Sequence, residues 1–295
     1  MDGNRETAVS FRCGEEDLIG ILHHPDRGSM RPVGILIVVG GPQYRVGSHR
    51  QFVLMGRQLA AAGFPVLRFD YRGMGDSTGS QRTFESVDDD IRAAIAAFRE
   101  ALPAITGIVV LGLCDAASAA LMYCGRYSDV CGLILLNPWV RTDEGAARTI
   151  VRHYYLARLF ERSLWQKIIA RQFSLTAFLR DAFALGRRTW RSRTSDSNQV
   201  SQPFLQRMEI GLDRFDGPIL LLLSGRDLTA KEFEDFSGRS ATWTSRFSSP
   251  RVTRLRMADA DHTFSAAPSL GAACDNILHW LRTMECGHTH AHLGS

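Results

Sequence analysis

The sequence predicts an α/β fold built on a mostly parallel, doubly wound sheet, and three observations support this fold class. Short apolar runs typical of buried strands alternate with segments of helical spacing. Several of these runs end in loops rich in glycine or polar residues, where open α/β sheets place their sites. One run, residues 108–111, leads through small residues directly into an alanine-rich helix. Strands joined by helix-length segments indicate parallel pairing.

The individual elements follow from the positions of these runs. An opening hairpin is expected over 11–23. Buried strands are expected at 33–39, 65–70, 108–111, 132–137 and 218–224, with a short final strand at 252–257. Helices are expected at 52–62, at 87–101, directly after residue 115 and over 270–284.

The alternation stops between residues 141 and 212, where no convincing strand is present. Helical spacing there predicts a helical cap over 141–212, inserted into a core formed by 1–140 and 213–295, above the carboxyl ends of the strands. Residues 141–193 contain twelve Arg or Lys against four Asp or Glu. Two interpretations stay open: a solvated basic face above an apolar face packed on the core, or a surface that contacts anionic lipid or an anionic substrate.

Composition limits the class of protein. A hydrophobic content of 45% with 22% charged residues allows a sizeable core, and no apolar run reaches the ~18 residues of a membrane span. The polar N-terminus has no signal-peptide character, so a cytoplasmic location is expected, with peripheral contact to the inner membrane through the basic cap as a variant. A net charge of +4 gives no reason to expect a nucleic-acid partner. Six scattered cysteines without a C-x-x-C pair predict neither a metal site nor a disulfide framework.

The apolar run at 108–111 and its small residues predict a nucleophile elbow with Cys114 at the apex. The residues two before and two after the apex must be small, and Gly112 and Ala116 meet that demand. The N-terminus of the following helix favours a negatively charged nucleophile. A buried structural cysteine is the alternative interpretation. If Asp115 were the nucleophile, Leu113 would stand at the tight position two residues before it and is expected to clash. Ser118 lies a full turn into the helix, cannot reach the apex and is expected to be structural.

Two further residues complete a predicted triad in the chain order nucleophile, acid, histidine. Asp227 follows the strand at 218–224, and His262 follows the last strand and precedes the closing helix. A nucleophile, a base within hydrogen-bond reach and an acid that orients the base are what covalent acyl transfer needs. Asp227 as a simple turn residue is the alternative, and Asp259 and Asp261 are weaker candidates for the acid.

The oxyanion hole is expected to use the backbone N–H of Asp115 and one N–H from the loop after the strand at 33–39. Pro42 has no N–H, so the second donor is Gly41 or Gln43, and Gly41 is preferred. The glycine-rich loop Tyr71–Ser77 lacks the Lys-Ser/Thr pair of a phosphate loop, so no nucleotide or other cofactor is predicted.

These motifs resemble those of the α/β-hydrolase superfamily over about residues 11–284. Phe69–Ser77 resembles the family's D-x-R-G-x-G-x-S loop, and Asp261–Phe264 resembles its histidine loop. More narrowly, Gly40–Arg50 together with Gly112–Ser118 resembles the exosortase A system-associated hydrolase 1 group, whose members accompany bacterial exopolysaccharide and protein-sorting gene sets. The elbow cysteine is similar to that of dienelactone hydrolase. The resemblance implies the fold and a Cys-His-Asp site.

The sequence therefore predicts a hydrolase that cleaves the acyl ester or thioester bond of a small-molecule substrate through a Cys114 acyl-enzyme intermediate. A thioacyl intermediate also passes to alcohols, so an acyltransferase acting on a sugar or lipid hydroxyl is an alternative. A non-catalytic binding protein that retained the fold is the second alternative.

Overall fold

Eight strands form a single sheet in the computed structural model, which describes residues 5–26, 28–41, 43–140 and 203–291. The strands are β1 (Arg5–Cys13), β2 (Glu16–His24), β3 (Val33–Val38), β4 (Val66–Phe69), β5 (Gly107–Leu113), β6 (Gly132–Leu136), β7 (Ile219–Ser224) and β8 (Val252–Met257). Their order across the sheet is β1-β2-β4-β3-β5-β6-β7-β8. The pairs β1–β2 and β2–β4 are antiparallel, and the remaining five pairs are parallel. The predicted mostly parallel sheet is confirmed.

Helices cover both faces of this sheet, as a doubly wound fold requires. The α-helices of the described ranges are α1 (Gln51–Ala61), α2 (Asp88–Ala101), α3 (Asp115–Cys124), α4 (Pro203–Arg214), α5 (Leu228–Ser237), α6 (Ala241–Phe247) and α7 (Ala267–Ala291). Short 3₁₀ helices cover Ser48–Arg50 and Phe84–Ser86. Helices α1 and α7 share one apolar cluster with the sheet. Helices α2 to α6 pack on the other face.

The central strands are buried on both faces, which explains their continuous apolar runs. All six residues of β3 are buried, and alternate residues join opposite clusters: Leu36 and Val38 pack on one face, Ile35 and Ile37 on the other. This division follows from the two-residue period of a strand. The strands β5, β6 and β7 show the same pattern. Because β3, β5, β6 and β7 pair in parallel, their carboxyl ends lie at one edge of the sheet.

Two elements differ from the prediction by three residues or more at an end. The hairpin begins at Arg5 rather than at residue 11, because β1 is an edge strand whose residues are mostly exposed or half-buried and give little apolar signal. The closing helix runs over Ala267–Ala291 rather than 270–284. Helices α5 and α6, between β7 and β8, are additional.

The predicted cap falls largely outside the described residues. Residues 141–202, including the arginine-rich segment 141–193, lie outside the described ranges, and the domain division stays a prediction. The last part of the predicted cap forms α4, where Met208 and Leu212 are fully buried in the core cluster that includes α3. Within the described ranges, no helix has the length and apolar character needed to cross a membrane.

A buried ion pair anchors the loop that follows β3. The Asp70 carboxylate, at the end of β4, accepts the backbone N–H of Arg45 at 2.5 Å and is paired with the Arg45 guanidinium. Asp76 binds the other end of the same guanidinium at 2.6 Å, and Arg68 donates to the Arg45 carbonyl at 3.2 Å. The loop carrying the expected oxyanion donors is therefore fixed to the neighbouring strand by charge.

Replacing Asp70 with asparagine is expected to lower the free energy of unfolding by about 3 kcal/mol, because it leaves the mostly buried Arg45 without its fully buried partner. Asp76 is the matched control, since it pairs with the same arginine but its side chain is 66% exposed. Asp76→Asn should cost less than about 1 kcal/mol. Urea denaturation measures both, and equal losses in the two variants would contradict this account.

Candidate active site

The chain reverses sharply at Cys114, between the end of β5 and the start of α3. Cys114 has φ 63 and ψ −126, a conformation that non-glycine residues rarely adopt. A Cβ atom on Gly112 would lie 2.5 Å from the carbonyl group of Ala116, so position 112 has no room for a side chain, as expected. Cys114 is the residue at the apex, whereas Asp115 already belongs to the helix. The structure thus has the elbow in the predicted register.

Asp227 lies where β7 leads into α5 and serves as the N-cap of that helix. Its two carboxylate oxygens accept the backbone N–H groups of Thr229 and Ala230, each at 3.1 Å. The same carboxylate contacts Nδ1 of His262 at 2.7 Å. Asp227 is buried, and helix N-termini stabilise negative charge. The residue is both a structural cap and the partner of a histidine, so the two interpretations of its role are compatible.

His262 links Asp227 to Cys114. Burial of the ring alone would lower its pKa, but hydrogen bonds and charge interactions with Asp227 and then Cys114 raise the pKa of His262 to about 10. Because Nδ1 faces Asp227, Nε2 is the ring nitrogen left for the Cys114 sulfur. The imidazole therefore holds a proton at neutral pH between two groups that stabilise its charge. The three predicted triad residues are brought together.

The two other candidate acids are placed differently. Asp259 is exposed on the turn before His262. Asp261 accepts the backbone N–H groups of Ser265 and Thr263 at 2.9 and 3.2 Å. Hydrogen bonds from Ser265 and Thr263 hold the pKa of Asp261 below its usual value. Asp261 thus shapes the loop that carries His262.

Asn137 is a site residue that the sequence reasoning missed. It follows β6 and is fully buried, with φ 45. Its amide nitrogen donates to the Ser224 hydroxyl at 2.9 Å and to the His262 carbonyl at 3.0 Å, and its amide oxygen accepts the Ser224 N–H at 2.8 Å. The side chain ties the ends of two strands to the histidine loop. A polar residue closing the apolar run 132–136 was the available signal.

The two candidate oxyanion donors have different surroundings. The N–H of Gly41 donates to Oδ2 of Asp115 at 2.9 Å. In Gln43 the side-chain oxygen accepts the N–H of Ser48 at 3.0 Å, which closes the loop on itself. Both residues line the same cavity as Cys114. Their part in binding an oxyanion stays a prediction.

A cavity of about 380 Å³ opens beside the elbow and is lined largely by apolar side chains. Phe52, Phe84 and Trp139 contribute aromatic surface, and Cys114 and His262 face the same space. Ser118 supports this wall: its hydroxyl donates to the Trp139 carbonyl at 2.6 Å and accepts the Trp139 N–H at 3.1 Å. Ser118 is fully buried and has the structural position expected from the sequence.

The remaining cysteines whose side chains are described have other environments. Cys13, Cys124 and Cys274 are buried, and Cys131 is half-buried at the start of β6. Burial raises the pKa of Cys131 to about 11 and that of Cys274 to about 12, which keeps both in the unreactive thiol form at neutral pH. Within the described ranges, no three His, Cys, Asp or Glu residues are grouped so that they could hold a metal ion.

The strand order, the elbow after β5, and an acid and a histidine on later loops at the same edge define the class: this is an α/β-hydrolase fold. The sequence model of the Alpha/beta hydrolase family matches residues 35–273, and the chain belongs to that family. No curated protein sequence matches the chain.

Solved structures of similar fold include several esterases. Pyrococcus furiosus esterase Pf2001 has a TM-score of 0.62 and 19% identity, with 95% of this chain and 93% of that chain covered. An esterase from the fungus Rhizomucor miehei has a TM-score of 0.63 and 16% identity, with coverage of 97% and 85%. Est1E from Butyrivibrio proteoclasticus, with bound ferulic acid, has a TM-score of 0.61 and 14% identity, with coverage of 95% and 100%. At these identities the similarity establishes the fold.

The raised pKa of His262 predicts a pH-dependent contribution to stability. The pKa is about 10 in the folded protein against 6.5 for an unperturbed histidine, so the folded state binds more protons between these values. The contribution is therefore complete below 6.5 and is lost as pH rises towards 10. We expect the difference in unfolding free energy between wild type and His262→Gln to shrink from about pH 6 to about pH 8.5, measured by urea denaturation.

Cysteines of the unfolded chain also begin to ionise near the upper limit, but wild type and variant share them, so their contribution cancels in the difference. Asp259→Asn is the matched control, because its carboxylate is exposed near the same loop, and its difference from wild type should not vary with pH. A His262→Gln difference that stays constant across the range would show that the imidazolium is not stabilised by its neighbours.

Proposed function

We propose that the protein hydrolyses an acyl ester or thioester bond through an acyl-enzyme intermediate on Cys114. One observation carries the proposal: the elbow cysteine shares His262 with Asp227, whose carboxylate contacts the ring at 2.7 Å. A nucleophile, a base and an orienting acid in this order are the minimum for covalent acyl transfer. Further support comes from the family, in which the solved neighbours include esterases.

The proposed reaction uses each residue in turn. The Cys114 sulfur attacks the carbonyl carbon, a C–S bond forms and the carbonyl π electrons move onto oxygen. When the C–O or C–S bond to the leaving group breaks, His262 gives the leaving group its proton. The neutral imidazole then takes a proton from water, which attacks the thioester, and Cys114 is released with the carboxylic acid as product. Asp227 keeps the ring oriented throughout and stabilises its positive charge whenever the ring is protonated.

The lining of the cavity favours a substrate whose apolar acyl group binds near the Cys114 sulfur. Its walls include Phe52, Phe84 and Trp139, which favour burial of apolar surface. The resemblance of Gly40–Arg50 and Gly112–Ser118 to the exosortase-associated group extends the proposal to acyl compounds of exopolysaccharide-related metabolism. In this proposal water is the acceptor of the acyl group.

Replacing Cys114 with alanine is expected to abolish hydrolysis of a short p-nitrophenyl ester, a loss of at least about a thousandfold in kcat/KM, because the attacking atom is removed. Release of p-nitrophenolate measures the rate. Iodoacetamide should inactivate the wild-type enzyme at the same rate as it alkylates Cys114. Mass spectrometry measures the alkylation.

Cys131→Ala is the matched control, since Cys131 is half-buried at the opposite end of the sheet. This variant should keep most of the wild-type turnover and its sensitivity to iodoacetamide. Undiminished turnover in Cys114→Ala would rule out the acyl-enzyme mechanism.

A further inference from the structure

The side chain of Asp115 occupies the place where an oxyanion is expected to bind. Asp115 is the first residue of α3, directly after the elbow, and its Oδ2 accepts the N–H of Gly41 at 2.9 Å. Interactions with the N–H groups of Gly41, Ala116 and Asp115 itself stabilise its negative charge. One backbone donor predicted for the oxyanion hole, that of Gly41, is therefore already bound by a carboxylate, and the other, that of Asp115, contributes to stabilising the charge of the same carboxylate.

The carboxylate is tightly enclosed on one side. A Cβ atom on Gly40 would lie 2.1 Å from Oδ1 of Asp115 and 2.7 Å from the Leu113 carbonyl oxygen, so only glycine fits beneath it. Oδ1 is itself buried and has no hydrogen-bond partner among the described residues. A buried, unpaired carboxylate oxygen is costly, so the arrangement is not explained by stability alone.

The titratable groups around Asp115 are its neighbour on the same elbow and one group on each of two other segments. Cys114 precedes it at the elbow, His262 faces it from the loop after β8, and Tyr71 faces it from the loop after β4. Burial raises the pKa of Asp115, and the N–H groups of Gly41, Ala116 and Asp115 itself, followed by the charge of His262, offset only part of that effect. Burial and then the Asp115 charge likewise raise the pKa of Tyr71 to about 12.

We propose that the Asp115 carboxylate is an internal ligand of the oxyanion hole, which the oxygen of a bound carbonyl must displace before acyl transfer. The ionised carboxylate and the oxyanion need the same donors and repel each other, so the resting site is self-inhibited. The inhibition is relieved when the side chain withdraws or takes up a proton. This inference rests on the proposed function, because it assumes that Cys114 attacks a carbonyl group.

A short aliphatic aldehyde tests this directly. The Cys114 sulfur adds to its carbonyl carbon, a C–S bond forms and the carbonyl π electrons move onto the oxygen, which lies in the hole as an oxyanion while the proton stays on His262. We expect Asp115→Ala to lower the inhibition constant of butyraldehyde against p-nitrophenyl ester hydrolysis by at least about tenfold and to raise kcat/KM by a similar factor. Asp115→Asn removes the charge but keeps the shape, so its effect should be intermediate.

Two controls separate the hole from the nucleophile. Iodoacetamide alkylates sulfur without forming an oxyanion, so wild type and both Asp115 variants should react with it at rates within about threefold. Asp259→Ala, which removes an exposed carboxylate before His262, should leave aldehyde inhibition unchanged. In addition, aldehyde affinity should rise relative to Asp115→Asn as pH falls, because protonation of Asp115 removes its repulsion.

The outcomes distinguish this inference from the proposed function. If Asp115→Ala and Asp115→Asn alkylate normally but bind the aldehyde no more tightly than wild type, or more weakly, the self-inhibition is refuted while Cys114 remains the nucleophile. If Cys114→Ala hydrolyses the ester and binds the aldehyde as wild type does, the proposed function itself fails.

Discussion

The close contact between Gly112 and Ala116 is the constraint on which the site depends. Position 112 carries no side chain, so the chain can turn from β5 directly into α3. The residue between the two elements, Cys114, takes a positive φ. This turn raises Cys114 above the sheet edge and aligns the first N–H groups of α3 with it. It also places Asp115 against Gly40 and Gly41. The proposed nucleophile and the carboxylate at the expected oxyanion site both follow from one backbone geometry.

The other site residues are positioned by polar contacts between the ends of neighbouring strands. Asp227 satisfies two free N–H groups of α5 and holds the His262 ring with the same carboxylate. Asn137 bonds both to Ser224 and to the backbone of His262. The strand β6, which lies between the strands that lead to Cys114 and Asp227, therefore also fixes the loop that carries His262. Buried polar groups of this kind are held by several partners at once, which limits their freedom to move.

The sequence was sufficient to predict the features that depend on neighbours along the chain. Continuous apolar runs identified β3, β5, β6 and β7, since strands buried on both faces need apolar residues at every position. The carboxyl ends of parallel strands meet at one edge, so residues following those runs could be grouped into one site. The direction in which Asp115 points, and the bonds made by Asn137, depend on loops distant in sequence. No local pattern encodes those contacts.

The position of Asp115 also bears on how charge moves in the reaction. Acyl transfer carries negative charge from the Cys114 sulfur to the substrate oxygen, which means towards the hole, while His262 remains behind with its positive charge. Catalytic sites usually place donors at the destination of that charge. In the proposed arrangement an anion already interacts with those donors, so the ground state is stabilised instead of the transition state. Binding energy from an acyl group in the aromatic cavity can offset this stabilisation of the ground state. Compared with a small substrate, a substrate that fills the cavity would therefore gain more in reaction rate than it gains in binding affinity.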